Sequence, residues 1–222
     1  MQHVAGEPMN PVREYVESTI LQIREEMLTS PFDCRELLTK YSHPEYDWNM
    51  TEEFRDGYIV PKYAVAKVLQ PKRICEIGVY TGIAALSFLG ACPQAEYLGI
   101  DNLSGEKWGT VPIVENTKEI LRRQGYNARV LIDDSQRMQE LPGGLYDLIH
   151  VDGCHTRGAA RHDVMIAFKA LTPEGWLLVD DGCDCHVCTG TFDAMLELPG
   201  GNIYWTYLEG TTGSILIHKR RQ

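Results

Sequence analysis

Apolar residues recur at Val12, Val16, Ile20, Ile23 and Met27, spaced by 4, 4, 3 and 4 after an Asn10-Pro11 start signal. One face of a 3.6-residue helix repeats in this way, so the spacing predicts an amphipathic helix. A second short helix is expected after Pro31. Across 41–58 the periodicity fails, and Tyr41, Tyr46, Trp48, Phe54 and Tyr58 mix with acids, His43 and Pro44. That stretch reads as an irregular aromatic-rich segment, either packed over a site or crossing the surface.

Beyond Pro61 the pattern is regular. A helix ends near Gln70-Pro71, and strands follow over 73–77, 97–101, 128–132, 145–152 and 176–180. Helices are predicted between them over 82–91, 113–124 and 158–170. Near-continuous apolar strands separated by amphipathic helices imply a parallel sheet covered on both faces. At the end of the chain, 203–208 and 214–218 flank Glu209-Gly210-Thr211-Thr212-Gly213, which predicts an antiparallel hairpin at the sheet edge. The chain thus divides into a helical, aromatic-rich cap (1–60) and an α/β domain (61–222).

Composition narrows the function. The 222 residues are 44% hydrophobic and 23% charged, enough for one sizeable core. Acids outnumber Lys and Arg by 31 to 21, and the net charge of −10 argues against nucleic-acid or anionic-membrane partners. No apolar run reaches the roughly 18 residues of a membrane span. Residues 1–8 lack a basic region followed by an apolar one, so a cytoplasmic protein is expected. Its seven cysteines are then reduced thiols.

Glu76-Ile77-Gly78-Val79-Tyr80-Thr81-Gly82 lies at a strand end and opens a helix, where small residues let a ligand approach the backbone. Asp101 ends the next strand, placed to accept from two ribose hydroxyls. Glu76 and Thr81 stand where a dinucleotide fingerprint has its first and third glycines. An acid there repels a diphosphate and suits a cationic or amino-bearing ligand.

This E-x-G-x-x-x-G run, followed by an acid at the second strand end, resembles the class I S-adenosylmethionine-dependent methyltransferases. The resemblance spans roughly Lys72 to Lys219 and implies a Rossmann-like, doubly wound sheet. It implies that Glu76, Gly78, Thr81 and Gly82 line the methionine end of the cofactor and that Asp101 and Asn102 meet the ribose. Asp134 and Ser135 take the adenine, with Asp133 where a glycine is common.

Asp152 and the Asp180-Asp181 pair end two buried strands, and parallel strands deliver such tips to one edge. Three convergent carboxylates repel unless protonated or bridged by a cation, and hard oxygen ligands suit Mg²⁺ or another divalent ion. Asp152-Gly153-x-His155 and Gly175-x-x-x-x-Asp180-Asp181 resemble divalent-metal-dependent O-methyltransferases, the sugar enzymes of macrolide and novobiocin biosynthesis above all. By that match Asp152, Asp180 and Asp181 hold the metal, and Asp152 also borders the cofactor. His155 takes the position of the catalytic lysine of the catechol enzymes. Its unperturbed pKa near 6.5 suits proton removal, though a helix-capping role stays open. His162 and Asp163 are expected to be structural.

Cys183-Asp184-Cys185-His186-Val187-Cys188 departs from the family pattern. It reads as a loop over the substrate, with His186 as the alternate base; zinc on its soft ligands and incidental thiols stay open. The expectation is an S-adenosylmethionine- and Mg²⁺-dependent O-methyltransferase acting on a small-molecule hydroxyl of a sugar, catechol or other natural product. N-methylation, non-methylating chemistry on the same fold, or a zinc-holding accessory protein are the alternatives. The segments 41–58 and 111–124 are the expected acceptor walls, and the N-terminal helix either covers the sheet or joins a homodimer.

Overall fold

The computed structural model describes residues 11–41, 51–104, 113–198 and 203–220. Its strands are β1 (Arg73–Ile77), β2 (Glu96–Asp101), β3 (Ala128–Ile132), β4 (Tyr146–Val151), β5 (Leu171–Val179), β6 (Ile203–Leu208) and β7 (Ser214–Lys219). They form one sheet in the order β3-β2-β1-β4-β5-β7-β6. β1 to β5 pair in parallel, and β7 lies antiparallel between β5 and β6. This is the expected doubly wound sheet with its C-terminal hairpin. β5 starts earlier than predicted, because Leu171 already pairs with Tyr146 before the register shifts and Trp176 meets Leu148.

Successive strand side chains point to opposite faces. On one face Ile74, Leu148, Trp176, Leu178 and Leu216 pack beneath α1 (Pro11–Thr29), α2 (Arg35–Tyr41), α4 (Val60–Leu69), α5 (Ile83–Ala91) and α6 (Ile113–Arg123). On the other, Cys75, Ile77, Ile149, Val151, Leu177 and Val179 meet α7 (Arg157–Ala170) and α8 (Cys185–Glu197). No helix among the described residues is long and apolar enough to cross a membrane.

Two expectations are corrected. The described part of 41–58 is helical: Thr51 caps α3 (Glu52–Phe54), and a π-helical turn, Arg55–Ile59, leads unbroken into α4. Residues 42–50, with His43, Tyr46 and Trp48, lie outside the described residues, as do 111 and 112 of the second expected wall. Pro61 lacks the amide that would bond the Gly57 carbonyl, and the Thr211 amide donates there instead at 2.9 Å. A Cβ on Gly57 would sit 2.0 Å from the Thr211 hydroxyl oxygen, so glycine is what lets the β6–β7 loop reach the helix. The second correction is α8, which begins within the cysteine-rich run expected to be a loop.

Candidate active site

Ile77, Val151 and Val179 are register partners across β1, β4 and β5. Gly78, Asp152 and Asp180, one residue further along, emerge side by side at the carboxyl edge, roughly 5 Å from strand to strand. Strand order reverses between β1 and β4, the place where open α/β sheets take ligands. A cavity of about 410 Å³ opens there, within the range of small-molecule sites.

One half of this cavity is shaped by backbone. Gly78 has φ +86°, and a Cβ on it would lie 1.9 Å from the Asp152 carbonyl oxygen. Asp101 clasps the loop: its Oδ2 accepts from the Val79 and Tyr80 amides, each at 2.9 Å, and its Oδ1 from the Leu103 amide at 2.7 Å. Glu76, Gly78, Thr81, Asp101, Asn102, Asp134 and Ser135 all line the cavity. Gly82 lies behind them as the N-cap of α5. Asp134 caps the turn Ser135–Arg137, and His162 Nε2 is 3.0 Å from the Ser135 carbonyl oxygen. Asp163 accepts from the Gln136 side-chain amide at 2.8 Å, and burial pushes its carboxyl up to about 6.

The other half is built from charge. Period-2 alternation puts Glu76, His150, Asp152 and Asp180 on the sheet face that α4 covers. Glu76 accepts from the Tyr97 hydroxyl and lies 3.3 Å from His150 Nδ1. Burial raises the Glu76 carboxyl against the pull of His150; burial also pulls His150 down, but the hydrogen bond and charge of Glu76 with the charge of Asp152 together outweigh it and raise the ring. Asp180 Oδ2 pairs with Lys62 Nζ at 2.8 Å. Its Oδ1 accepts from Ser214 Oγ at 2.9 Å and Thr212 Oγ1 at 3.2 Å. Tyr58 lies over Lys62 and donates its hydroxyl to Asp152 Oδ2 at 2.7 Å. Burial, then the neighbouring carboxylates, hold that phenol well above its usual range.

Asp181 has a left-handed backbone, φ +53°, which an aspartate tolerates better than most residues. Its Oδ2 is 2.9 Å from His155 Nε2, and Asp152 Oδ1 lies 3.7 Å from the same nitrogen. The two carboxylates raise the half-exposed His155 to about 10. Burial would raise Asp152, but His155, His150, Lys62 and Tyr58 together hold its carboxyl far below the ordinary range.

A family model described as a methyltransferase domain matches residues 75–182, the span from β1 to the tip of β5. Just under half of the chain is thus similar to a methyltransferase domain. An O-methyltransferase of Aspergillus hancockii, hkm8, is 30% identical over 117 residues, 51% of this chain and 44% of that protein. The chain therefore spans less than half the length of that relative. The O-methyltransferase TomG of Streptomyces achromogenes, solved with S-adenosylmethionine, superposes with TM-score 0.61 at 16% identity, over 95% of this chain and 96% of that one. The Podospora anserina methyltransferase PaMTH1, bound to S-adenosylhomocysteine, gives 0.62 at 17% identity over 97% and 100%. At such identities these two show a shared fold.

The three aspartates expected to share a dication are not equivalent. Asp180 is spent: both oxygens are occupied, one by an ammonium, with the pair almost wholly buried. Among the described residues two sets lie close enough to share an ion: the largely buried His150, Asp152 and Asp180, whose Asp180 is already paired with Lys62, and the more open Asp152, His155 and Asp181. A dication there must displace the proton that the two carboxylates hold on His155 and would take the imidazole as a ligand, removing the base. The divalent ion and the histidine base thus compete for one place, and the three-aspartate set does not fit. His186 is exposed in the first turn of α8 and is absent from the cavity lining. Asp184 caps α8 through the His186 and Val187 amides. Cys183 Sγ meets the Tyr207 hydroxyl at 2.8 Å, and no cysteine joins a group of potential metal ligands among the described residues. Lys62 and His150 were not expected at the site, and Tyr58 was expected only as the end of the 41–58 acceptor wall. Lys62 could have been sought from its position on the apolar face of α4, between Ile59 and Ala66.

Proposed function

We propose that the protein transfers a methyl group from S-adenosylmethionine to a hydroxyl of a small molecule, with His155 as the base. The observation that supports this is the Asp181–His155 contact of 2.9 Å in the wall of the cavity that the Gly78 loop also lines. The cofactor's adenosine lies along Asp101, Asn102 and Ser135, and its methionine end turns to Glu76 and Asp152. The acceptor enters beside Phe54, Tyr58, Asp181 and Thr212. Its hydroxyl proton passes to His155 as the oxygen attacks the methyl carbon in line with the breaking carbon–sulfur bond. S-adenosylhomocysteine and a methyl ether leave.

The two carboxylates favour the imidazolium of His155, so its proton must first pass to bulk water, which the half-exposed ring meets. The arriving cofactor supplies the push, because its sulfonium adds positive charge beside Asp152 and weakens that carboxylate's hold on the ring. No step is assigned to a divalent ion, since the expected ligand set does not fit. Sugars and catechols remain the acceptor classes to screen, in keeping with the hydroxyl chemistry in the names of hkm8 and TomG. All seven cysteines are free, and burial drives Cys34 and Cys75 up to about 12, so neither is a reactive thiolate at neutral pH.

Methyl-labelled S-adenosylmethionine offered with a panel of sugars and catechols tests the reading. Label should appear on an oxygen, and His155→Gln should slow transfer by about 10²- to 10⁴-fold while S-adenosylhomocysteine affinity holds. Label on nitrogen overturns the acceptor class, and an unimpaired His155→Gln overturns the base.

A further inference from the structure

We propose that Lys62 is a resident cation, its ammonium filling the charge position behind the tips of β4 and β5, so that this site works without a divalent ion. Catalysis without a divalent ion rests on the methyl-transfer reading above; the position of the Lys62 charge does not.

Lys62 is 1% exposed, a lysine buried as deeply as the core leucines around it. A buried ammonium is tolerable only when paired and hydrogen-bonded. Its Nζ has Asp180 Oδ2 at 2.8 Å and the Tyr58 ring centroid at 3.3 Å, a carboxylate and a π face. Asp180 in turn has the Ser214 and Thr212 hydroxyls on its second oxygen. From Tyr58 the influence of the ammonium passes to Asp152, which accepts the phenol proton. One positive charge therefore serves two of the three aspartates, one directly and one through the tyrosine. The third, Asp181, has His155.

Mn²⁺ added to the full-length protein and followed by electron paramagnetic resonance tests the assignment without any acceptor. Wild type should hold no stoichiometric Mn²⁺ at micromolar concentration, and Lys62→Arg should match it. Lys62→Met frees Asp180 and should bind Mn²⁺ about tenfold more tightly or better, a gain lost again in Lys62→Met/Asp180→Asn. Methyl transfer, once an acceptor is found, should persist in excess chelator. One tightly held Mn²⁺ per wild-type chain overturns the proposal, as does a folded Lys62→Met that gains none, or activity lost in chelator. Should Lys62→Met not fold, the wild-type and Lys62→Arg titrations decide. Failure to find an acceptor leaves the Mn²⁺ result standing by itself, so the two readings fail separately.

Discussion

The tips of β1 and β2 and the tips of β4 and β5 bound the same cavity, and they are held by different forces. At β1–β2 the shape is made by main chain: a glycine at positive φ, and an aspartate whose oxygens accept three backbone amides. At β4–β5 the shape is made by side chains whose charges cancel: Asp180 by Lys62, Asp181 by His155, Asp152 by both and by Tyr58. The first half suits a ligand that never changes, the second a reaction in which a proton must move. A backbone cradle is rigid, whereas a paired charge can exchange its partner.

The sharpest way to break the comparison is to unbalance the charged half. Lys62→Met strands a buried carboxylate and should cost about 3–5 kcal/mol in urea unfolding, with much of it recovered in Lys62→Met/Asp180→Asn. Equal losses in the single and double variants would show that packing of the lysine stem matters and its charge does not. Next comes the backbone half. Gly78→Ala drives a Cβ into the Asp152 carbonyl and should cost about 2–4 kcal/mol and abolish S-adenosylhomocysteine binding by calorimetry. An alanine variant that binds normally would show that the loop has room.

The smallest effect is on pH. His155 is raised from 6.5 to about 10, so the stability it contributes is full below pH 6.5 and fades as the pH climbs through about 10. Wild type should lose stability relative to His155→Gln across that window, modestly because the ring is half exposed. Parallel stability curves for the two proteins would contradict the pairing.

Legibility in the sequence follows the same division. The Gly78 loop and Asp101 are readable because a motif and a strand spacing define them locally. The aspartates at 152, 180 and 181 were readable as strand tips for the same reason. Their roles were not, because what each aspartate does is set by its partner. Lys62 lies 118 residues from Asp180, and Tyr58 lies 94 from Asp152. Neither separation leaves a pattern, and Tyr58 sat in a stretch whose mixed composition hid a helix. The cysteine run misled for a different reason. Its C-x-C-x-x-C spacing drew attention from Asp184, a good N-cap, and from Val187, Thr191, Ala194 and Met195, the buried stripe of α8.

In the proposed reaction His155 gives up its proton as a cationic cofactor arrives. Nuclear magnetic resonance titration of the His155 imidazole measures this directly, in the free protein, with S-adenosylhomocysteine and with S-adenosylmethionine. The ring should titrate well above 6.5 when free and fall further with the sulfonium compound than with its neutral thioether product. A ring that titrates near 6.5 in all three states would contradict the account.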